Sequence, residues 1–263
     1  MNIILASLSL GVLGLVFGIL LGFASKAFEV KVDPKIPMLR ECLPGANCGG
    51  CGFAGCDAYA EGIVLENAKL NLCSVGGASV AEKISAIIGQ EVEALEKVTA
   101  FVKCNGNCNV AKNRYILEGE HDCISASLLI DGGNKSCSYG CLGLGSCVSV
   151  CEFGALDIID GIAKVNIDKC TNCGACINIC PKGLIESVKV EKTVRVRCNN
   201  VEIGKHVKLN CSKACIGCKI CQKNCPEEAI TVINNLARID YDKCTTCGIC
   251  ESKCPTKAIS LIN

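Results

Sequence analysis

Residues 211–226 and 244–255 read CSKACIGCKICQKNCP and CTTCGICESKCP. Each stretch contains four cysteines spaced C-x2-C-x2-C-x3-C and followed by proline. In this pattern the first three thiolates bind one cubane 4Fe–4S cluster, and the fourth thiolate binds the neighbouring cluster. We therefore predict two clusters with these ligands: Cys215, Cys218, Cys221 and Cys254 for one, and Cys225, Cys244, Cys247 and Cys250 for the other.

The doubled run is the signature of bacterial ferredoxins, and we expect the fourth cysteine of each run to begin a helix. Zinc proteins usually separate two C-x2-C pairs by about 12 to 20 residues, which does not match this spacing. The 26 cysteines in 263 residues reach the density of a disulfide scaffold. However, a chain of this length does not need disulfides to fold, and runs of cysteines two apart have metal-ligand spacing.

An internal repeat precedes this pair of runs. The sequence VKCN at 102–105 is echoed by VRCN at 196–199, and each copy leads into a C-x3-C pair and then into a ferredoxin pair. The chain is thus predicted to carry two dicluster ferredoxin-like units in series, at 98–190 with an insertion and at 194–263. We expect a strand at about 98–104, and an α+β fold overall.

The first unit departs from the template at one site. Its second run is regular and supplies Cys170, Cys173, Cys176 and Cys180. In its first run, which holds Cys141, Cys147 and Cys151, Leu144 stands where the second unit has Cys218, and Glu152 replaces the proline. Cys141, Cys147 and Cys180 therefore lack a fourth thiolate, for which Cys137 is the nearest candidate.

The amino-terminal residues 3–23 contain no charged side chain, and a helix of that length spans the roughly 30 Å hydrocarbon core of a bilayer. We predict a single-pass transmembrane anchor at 1–25, since a cleaved signal peptide would need a basic start and a better cleavage site. The four basic residues that follow place the bulk of the chain on the cytoplasmic side. They are Lys26, Lys31, Lys35 and Arg40.

A small iron–sulfur domain is predicted at 40–92. Its cysteines, spaced C-x2-C-x4-C and closed by one beyond a short helix, supply four thiolates for a further cluster: Cys48, Cys51, Cys56 and Cys73. Ser79 and Glu82 form a capping-box pattern ahead of an amphipathic helix that we expect to stop at Gly89.

These assignments use twenty cysteines in five clusters. Among the six that remain, Cys104, Cys123, Cys198 and Cys211 are predicted to close a sixth cluster between the two units. The alternative is that some of them are ordinary buried thiols. Cys42 and Cys108 have no assigned role.

The remaining composition excludes several function classes. The sequence contains no P-loop, no complete dinucleotide fingerprint and no acid–base or nucleophile constellation, so catalytic residues are not expected. A net charge of +1, four Tyr, six Phe and no Trp offer no footprint for nucleic acid. The chain is predicted to move electrons through five or six 4Fe–4S clusters.

Several segments together resemble the B subunit of the Rnf complex, in the longer polyferredoxin form of anaerobic bacteria. They are the uncharged amino-terminal span, LPGANCGGCGFAGCDAYAEGIV at 43–64 with Cys73, GGNKSCSYGCLGLGSC at 132–147, and the two ferredoxin units. The resemblance implies an electron-transfer subunit, without a substrate site of its own, of an inner-membrane complex. That complex oxidises reduced ferredoxin, reduces NAD and pumps sodium ions or protons, with flavins on other membrane subunits.

Two alternatives stay open from the sequence: a polyferredoxin of another membrane redox complex, such as a hydrogenase or formate module, and a membrane-tethered zinc module.

The charge distribution predicts where soluble ferredoxin docks. Residues 211–257 hold seven basic and five acidic side chains, whereas 42–73 and 137–181 are net acidic. Because soluble ferredoxins are acidic, we expect docking near Lys213, Lys219, Lys223 and Lys253.

Overall fold

Two antiparallel strand pairs build each of the two repeats in the computed structural model, which describes residues 2–27, 33–92, 96–119 and 122–262. In the first repeat, β1 (Val98–Val102) pairs with β4 (Ile185–Lys189), so the first and last strands of the unit close on each other. Between them, β2 (Leu156–Ile159) and β3 (Ile162–Val165) form a hairpin.

The second repeat has the same topology. Its outer pair joins β5 (Val194–Val196) to β8 (Ile259–Leu261), and its hairpin joins β6 (Ile230–Ile233) to β7 (Leu236–Ile239). The two-residue turn of this hairpin, Asn234 and Asn235, has positive φ angles of 49° and 62°. Asn tolerates this left-handed backbone, which matches the right-handed twist of the strands that the turn connects.

One very short helix lies within each cysteine run: α6 (Ser146–Ser149), α7 (Ala175–Ile179), α9 (Ile220–Lys223) and α10 (Ile249–Ser252). The residue before each helix has a positive φ angle, which turns the chain sharply from the loop into the helix. Each helix holds the cysteine that stands third in the template, and that cysteine is buried. The fourth cysteine follows the helix and does not begin one, so that expectation was wrong.

The insertion of the first unit contains α5 (Cys123–Ser127) and a short 3-10 helix (Ile130–Gly132). Asp122 caps α5, because its Oδ1 accepts hydrogen bonds from Ile124 N at 2.7 Å and Ser125 N at 2.9 Å. The cap fixes Cys123 as the first residue of the helix. In the second unit, α8 (Gly204–Asn210) precedes Cys211.

The amino-terminal part begins with α1 (Asn2–Ala27), whose described side chains are residues 8 and 10–26. Large apolar side chains of this helix are exposed, including Leu10 and Phe17. Over the part of the chain that is described, no helix combines the length and the apolarity that a membrane crossing requires. Lys31, one of the four basic residues that predict the orientation, lies outside the described residues.

The small domain consists of α2 (Lys35–Cys42), α3 (Cys56–Leu65) and α4 (Gly77–Ile88). Gly89 ends α4 in the left-handed conformation with φ of 80°, as the sequence predicts. The predicted capping box is wrong, because α4 begins two residues before Ser79, whose hydroxyl donates to Gly76 O at 3.3 Å.

Three clusters of buried residues lie in the described chain, and they fall within residues 39–84, 100–185 and 194–259. Cysteines of the predicted ligand sets belong to all three clusters. In units this small the buried apolar side chains supply only part of the free energy of folding. We expect metal groups bound by the cysteines to supply much of the rest.

Replacing Gly143 with alanine should destabilise the first unit. Gly143 has a φ of +74°, and a Cβ there would lie 2.2 Å from Gly161 O. Gly154 is the matched control, since its φ is +56° but a Cβ there would meet nothing within 4 Å. The left-handed backbone costs both variants about 1–2 kcal/mol, and overlap with the Gly161 backbone should bring the loss in Gly143→Ala to roughly 3 kcal/mol or more.

Anaerobic thermal unfolding followed by circular dichroism would check this prediction. We expect a clearly larger fall in the melting temperature for Gly143→Ala than for Gly154→Ala. Equal falls would contradict the close approach of the two loops.

Candidate metal centres

Four spaces in the structure are each lined by four cysteines. The four sets are Cys48, Cys51, Cys56 and Cys73; Cys123, Cys141, Cys147 and Cys180; Cys104, Cys137, Cys198 and Cys211; and Cys215, Cys218, Cys221 and Cys254. The identical set of four thiol donors indicates that all four spaces take the same kind of group.

Two further groups are indicated by the charges that act on buried thiols. Burial, together with the charges of Cys170, Cys173 and Cys151, raises the pKa of Cys176 to about 11, so these four thiols lie near one another. Burial likewise raises the pKa of Cys250 to about 11, with Cys244 and Cys247 among its charged neighbours. Cys225, the predicted fourth member of that set, packs against the same buried core.

The amino-terminal group is held by the start of α3 and by a loop that Tyr59 fixes. Asn47 Oδ1 accepts a hydrogen bond from Cys56 N at 2.8 Å. The Tyr59 hydroxyl donates to Lys69 O at 2.8 Å and accepts from Leu72 N at 3.1 Å, which positions Cys73. The predicted set of Cys48, Cys51, Cys56 and Cys73 thus lies around one space.

The structure places Cys123, and not Cys137 as we had predicted, around one space with Cys141, Cys147 and Cys180. Burial, together with the charges of Cys141, Cys123 and Cys180, raises the pKa of Cys147 to about 12. Cys123 reaches this set because its backbone N donates to Ser146 Oγ at 2.8 Å, which joins the start of α5 to α6. The prediction failed because sequence proximity favoured Cys137 over a residue brought in by the insertion.

Cys137 instead joins Cys104, Cys198 and Cys211, where we had predicted Cys123. These four cysteines are called the bridging site below. The insertion carries Cys137 to the second unit, because Ala111 forms a β-bridge with Cys211 and Lys112 N donates to Asn210 O at 2.9 Å. Ser136 N then donates to Lys112 O at 2.8 Å, which fixes the chain just before Cys137.

The internal repeat contained the signal for this correct set. Cys104 and Cys198 are equivalent in the two copies, and so are the first cysteines of the two C-x3-C pairs, Cys137 and Cys211. The first unit therefore contributes Cys104 and Cys137 to the bridging site, and the second unit contributes the equivalent residues Cys198 and Cys211.

Nitrogen donors surround the sulfurs of the bridging site. Gly106 N and Cys141 N each lie 3.4 Å from Cys104 Sγ, and Asn200 Nδ2 lies 3.4 Å from Cys137 Sγ. Backbone N–H groups of Asn200 and Cys215 bind Cys198, and that of Lys213 binds Cys211. Such donors stabilise negative charge on sulfur, and hydrogen bonds to the sulfurs help to set the potential of an iron–sulfur cluster.

The burial of these thiols also fits a metal cluster. Burial raises the pKa of Cys198 to about 12, so its thiolate needs a strong compensating charge, which bound iron provides. Arg197 Nε, beside the same space, is buried without a hydrogen-bond partner among the described residues. An unsatisfied buried donor costs about 1–3 kcal/mol, and sulfide or thiolate acceptors in the space would satisfy it. The donor sets therefore fit 4Fe–4S clusters.

The cysteines are available as ligands, because all 26 are free of disulfide bonds. No three or more His, Cys, Asp or Glu side chains among the described residues are arranged to hold a single metal ion. Cys42 is half-buried at the end of α2 and Cys108 is exposed, and neither lines the four spaces above.

Comparison with known proteins identifies iron–sulfur domains in the same regions. A family model described as an Fe–S cluster matches residues 43–75. A second family model, the 4Fe-4S dicluster domain, matches residues 169–230 and 214–259. The second of these matches contains the cysteines from Cys215 to Cys254.

Three relatives, each the B subunit of a translocating complex, match most of the chain. The relative from the Na(+)-translocating ferredoxin:NAD(+) oxidoreductase complex of Acetobacterium woodii is 49% identical over 236 residues, which are 89% of this chain and 71% of that protein. The relative from the ion-translocating oxidoreductase complex of Methanosarcina acetivorans is 48% identical, covering 88% of each chain. The relative from the proton-translocating ferredoxin:NAD(+) oxidoreductase complex of Clostridium ljungdahlii is 43% identical, covering 92% of this chain and 86% of that protein.

Iron counting in paired variants would test the corrected sets. Cys123→Ala and Cys137→Ala should each lose about four iron atoms, the content of one cubane. Adding Cys147→Ala to Cys123→Ala should remove no more iron, because both residues lie at one site. Combining Cys123→Ala with Cys137→Ala should double the loss.

The exposed Cys108 supplies the control, and Cys108→Ala should keep all its iron. The measurement is iron and sulfide analysis of anaerobically purified protein. Additive losses in Cys123→Ala/Cys147→Ala would contradict the grouping that the structure gives.

Proposed function

Because this chain belongs to the family of B subunits of Rnf-type ion-translocating oxidoreductase complexes, we propose that it conducts electrons through six 4Fe–4S clusters. When bound, each cluster supplies one-electron redox chemistry, and the chain supplies the thiolates, their spacing and their environment. The observation that carries the proposal is the bridging site, which joins two ferredoxin units that would otherwise be separate. The physiological task proposed is transfer from reduced ferredoxin towards the membrane subunits of a ferredoxin:NAD oxidoreductase.

Direct contacts support one linear order of the sites. A Cβ on Gly50 would lie 3.0 Å from Cys173 O, so the ligand loop of the amino-terminal site touches the loop of the site that contains Cys170, Cys173 and Cys176. Within the first unit, α6 and α7 pack together and carry one buried ligand of each site.

The bridging site continues this order through hydrogen bonds between ligand residues. Cys141 N, from the irregular site, lies 3.4 Å from Cys104 Sγ. The backbone N–H of Cys215, from the second unit, binds Cys198. Each neighbouring site thus contacts the bridging site through the backbone of one of its own ligands, which gives electrons a short bonded path in both directions.

Exposed ligands occur only at the amino-terminal site and in the second unit. Among the cysteines of the six sets, Cys48 at the amino-terminal site and Cys218 and Cys247 in the second unit are exposed, and the others are half-buried or buried. An external donor or acceptor can approach a cluster closely only where its ligands reach the surface. The proposed direction is therefore from the second unit, through the bridging site and the first unit, to the amino-terminal site.

The second unit also has the charge and the surface to receive an acidic donor. Lys219 directly follows the exposed Cys218, and Lys219, Lys223 and Lys253 are all exposed. Ile220 and Ile249 are partly exposed beside the same ligand loops, which gives the basic surface an apolar centre. Lys213 is half-buried and lines the bridging site, so it is removed from the docking surface predicted from the sequence.

Membrane attachment through residues 1–25 is part of the proposal. It is supported by the uncharged sequence at 3–23 and by the relatives, which are named as subunits of translocating complexes. The proposed location is the inner membrane, with the clusters on the cytoplasmic side and other subunits of the complex as partners.

Reversing the charge of Lys219 and Lys223 to Glu should slow reduction of the protein by ferredoxin. Complementary charge raises encounter rates by about 10-fold or more at low salt, so the double variant should lose at least that factor. The matched control is Lys83→Glu, because Lys83 is exposed on α4 at the opposite end of the proposed order. Stopped-flow mixing with reduced ferredoxin at several ionic strengths measures the rates.

The wild type should also slow as salt is raised, while the double variant should respond weakly. Equal rates in Lys219→Glu/Lys223→Glu and wild type, at low salt, would place the docking surface elsewhere.

Protease protection tests the proposed orientation. Protease added to right-side-out membrane vesicles should leave the two ferredoxin units intact, because the basic residues after the uncharged segment hold them on the cytoplasmic side. Immunoblotting with and without detergent provides the comparison. Digestion without detergent would reverse the orientation.

A further inference from the structure

The bridging site is lined by more cationic side chains than the other four-cysteine spaces. Lys135, Arg197 and Lys213 line it. The other three spaces described above are lined by one cation or none: Lys182 in one and the exposed Lys219 in another.

Lys135 is a buried cation with neutral partners. It is 6% exposed, and the other buried cation among the described residues is Arg195. Lys135 Nζ donates to Gly106 O at 2.9 Å and to Gly161 O at 2.8 Å. These carbonyls hold the ammonium group in place without neutralising its charge.

Arg197 adds a second charge to the same wall. Within the described part of the chain, its buried Nε has no hydrogen-bond partner, and no ion pair there includes Arg197 or Lys135. Arg195 is different, because its Nη2 donates to Lys189 O at 2.6 Å and its guanidinium stacks 4.3 Å from the Tyr241 ring.

A cluster with four thiolate ligands is negatively charged and becomes more negative when it is reduced. Burial disfavours the reduced form, and a fixed cation nearby favours it. No cysteine of the bridging site is exposed, so burial alone would lower its reduction potential. Glu202 accepts a hydrogen bond from Asn200 Nδ2 at 3.2 Å and lies near Cys137. Its negative charge would also lower the reduction potential.

We propose that the fixed positive charges of Lys135 and Arg197 raise the reduction potential of a cluster at the bridging site. That cluster then takes up the first electron that enters the chain. The inference rests on the proposed function, since it requires a cluster at this site. In a partly reduced protein the electron then resides at the junction of the two ferredoxin units.

Redox titration followed by electron paramagnetic resonance tests this inference in the anaerobically purified full chain. The variants are Lys135→Gln and Arg197→Gln, with Arg197→Lys as the charge-keeping variant. Lys208→Gln is the control, because it removes an exposed positive charge from α8 next to Cys211. Cys211→Ser identifies which signal belongs to the bridging site, since changing a ligand alters the spectrum of its own cluster.

The signal altered in Cys211→Ser should be the first to appear in the wild type as the potential is lowered. It should move to more negative potential in Lys135→Gln and in Arg197→Gln, and stay in place in Arg197→Lys and Lys208→Gln. An unchanged midpoint in both Gln variants at full iron content would overturn the inference while leaving the proposed wire intact.

Iron analysis separates this failure from a failure of the proposed function. If Cys211→Ser and Cys211→Ala change neither the spectrum nor the iron content, the bridging site holds no cluster, and both proposals fail. If Lys135→Gln loses iron and Arg197→Gln does not, the midpoint potential of Arg197→Gln decides between the two outcomes.

Discussion

Convergence of four sulfurs on one space is the constraint on which this structure depends. No segment of the chain supplies all four ligands from adjacent positions, so each group ties together parts of the fold that are distant in sequence. Cys254 returns to the loop that holds Cys215 and Cys218, and Cys123 is joined to the Cys141 set by the hydrogen bond from its N to Ser146 Oγ. Because buried thiolates are unstable without compensating charge, folding and cluster binding must be coupled.

The bridging site applies the same constraint between domains. Cys104 and Cys137 come from the first unit and Cys198 and Cys211 from the second, so a cluster there fixes the two units relative to each other. Ordinary interfaces between domains allow relative motion unless they are large and apolar. A shared cluster would restrict such motion, and it would also shorten the electron path between the units.

Much of this architecture could be predicted from the sequence, where the information is local. The spacing of the regular runs predicts that Cys254 joins Cys215, Cys218 and Cys221, and the structure places these four around one space. The repeated VKCN and VRCN sequences predict two similar units, and the strand pairing is the same in both repeats. Gly89 correctly predicted the end of α4, but the capping-box pattern at Ser79 did not predict where that helix begins.

Tertiary contacts within the insertion determine the features that the sequence pattern did not predict. Cys123 and Cys137 were exchanged in the prediction, because their positions depend on the β-bridge between Ala111 and Cys211 and on the hydrogen bond from Cys123 N to Ser146 Oγ. The equivalence of Cys137 and Cys211 in the repeat did carry this information, and a comparison of the two copies position by position would have given the correct set.

A cluster between Cys104, Cys137, Cys198 and Cys211 would join the two ferredoxin units into one wire. An iron anomalous difference map from anaerobically grown crystals of the intact protein would show whether it is there. We expect a separate iron peak within this set of four cysteines, between the peaks of the two units. Iron peaks at the sets on either side, with none between them, would contradict it.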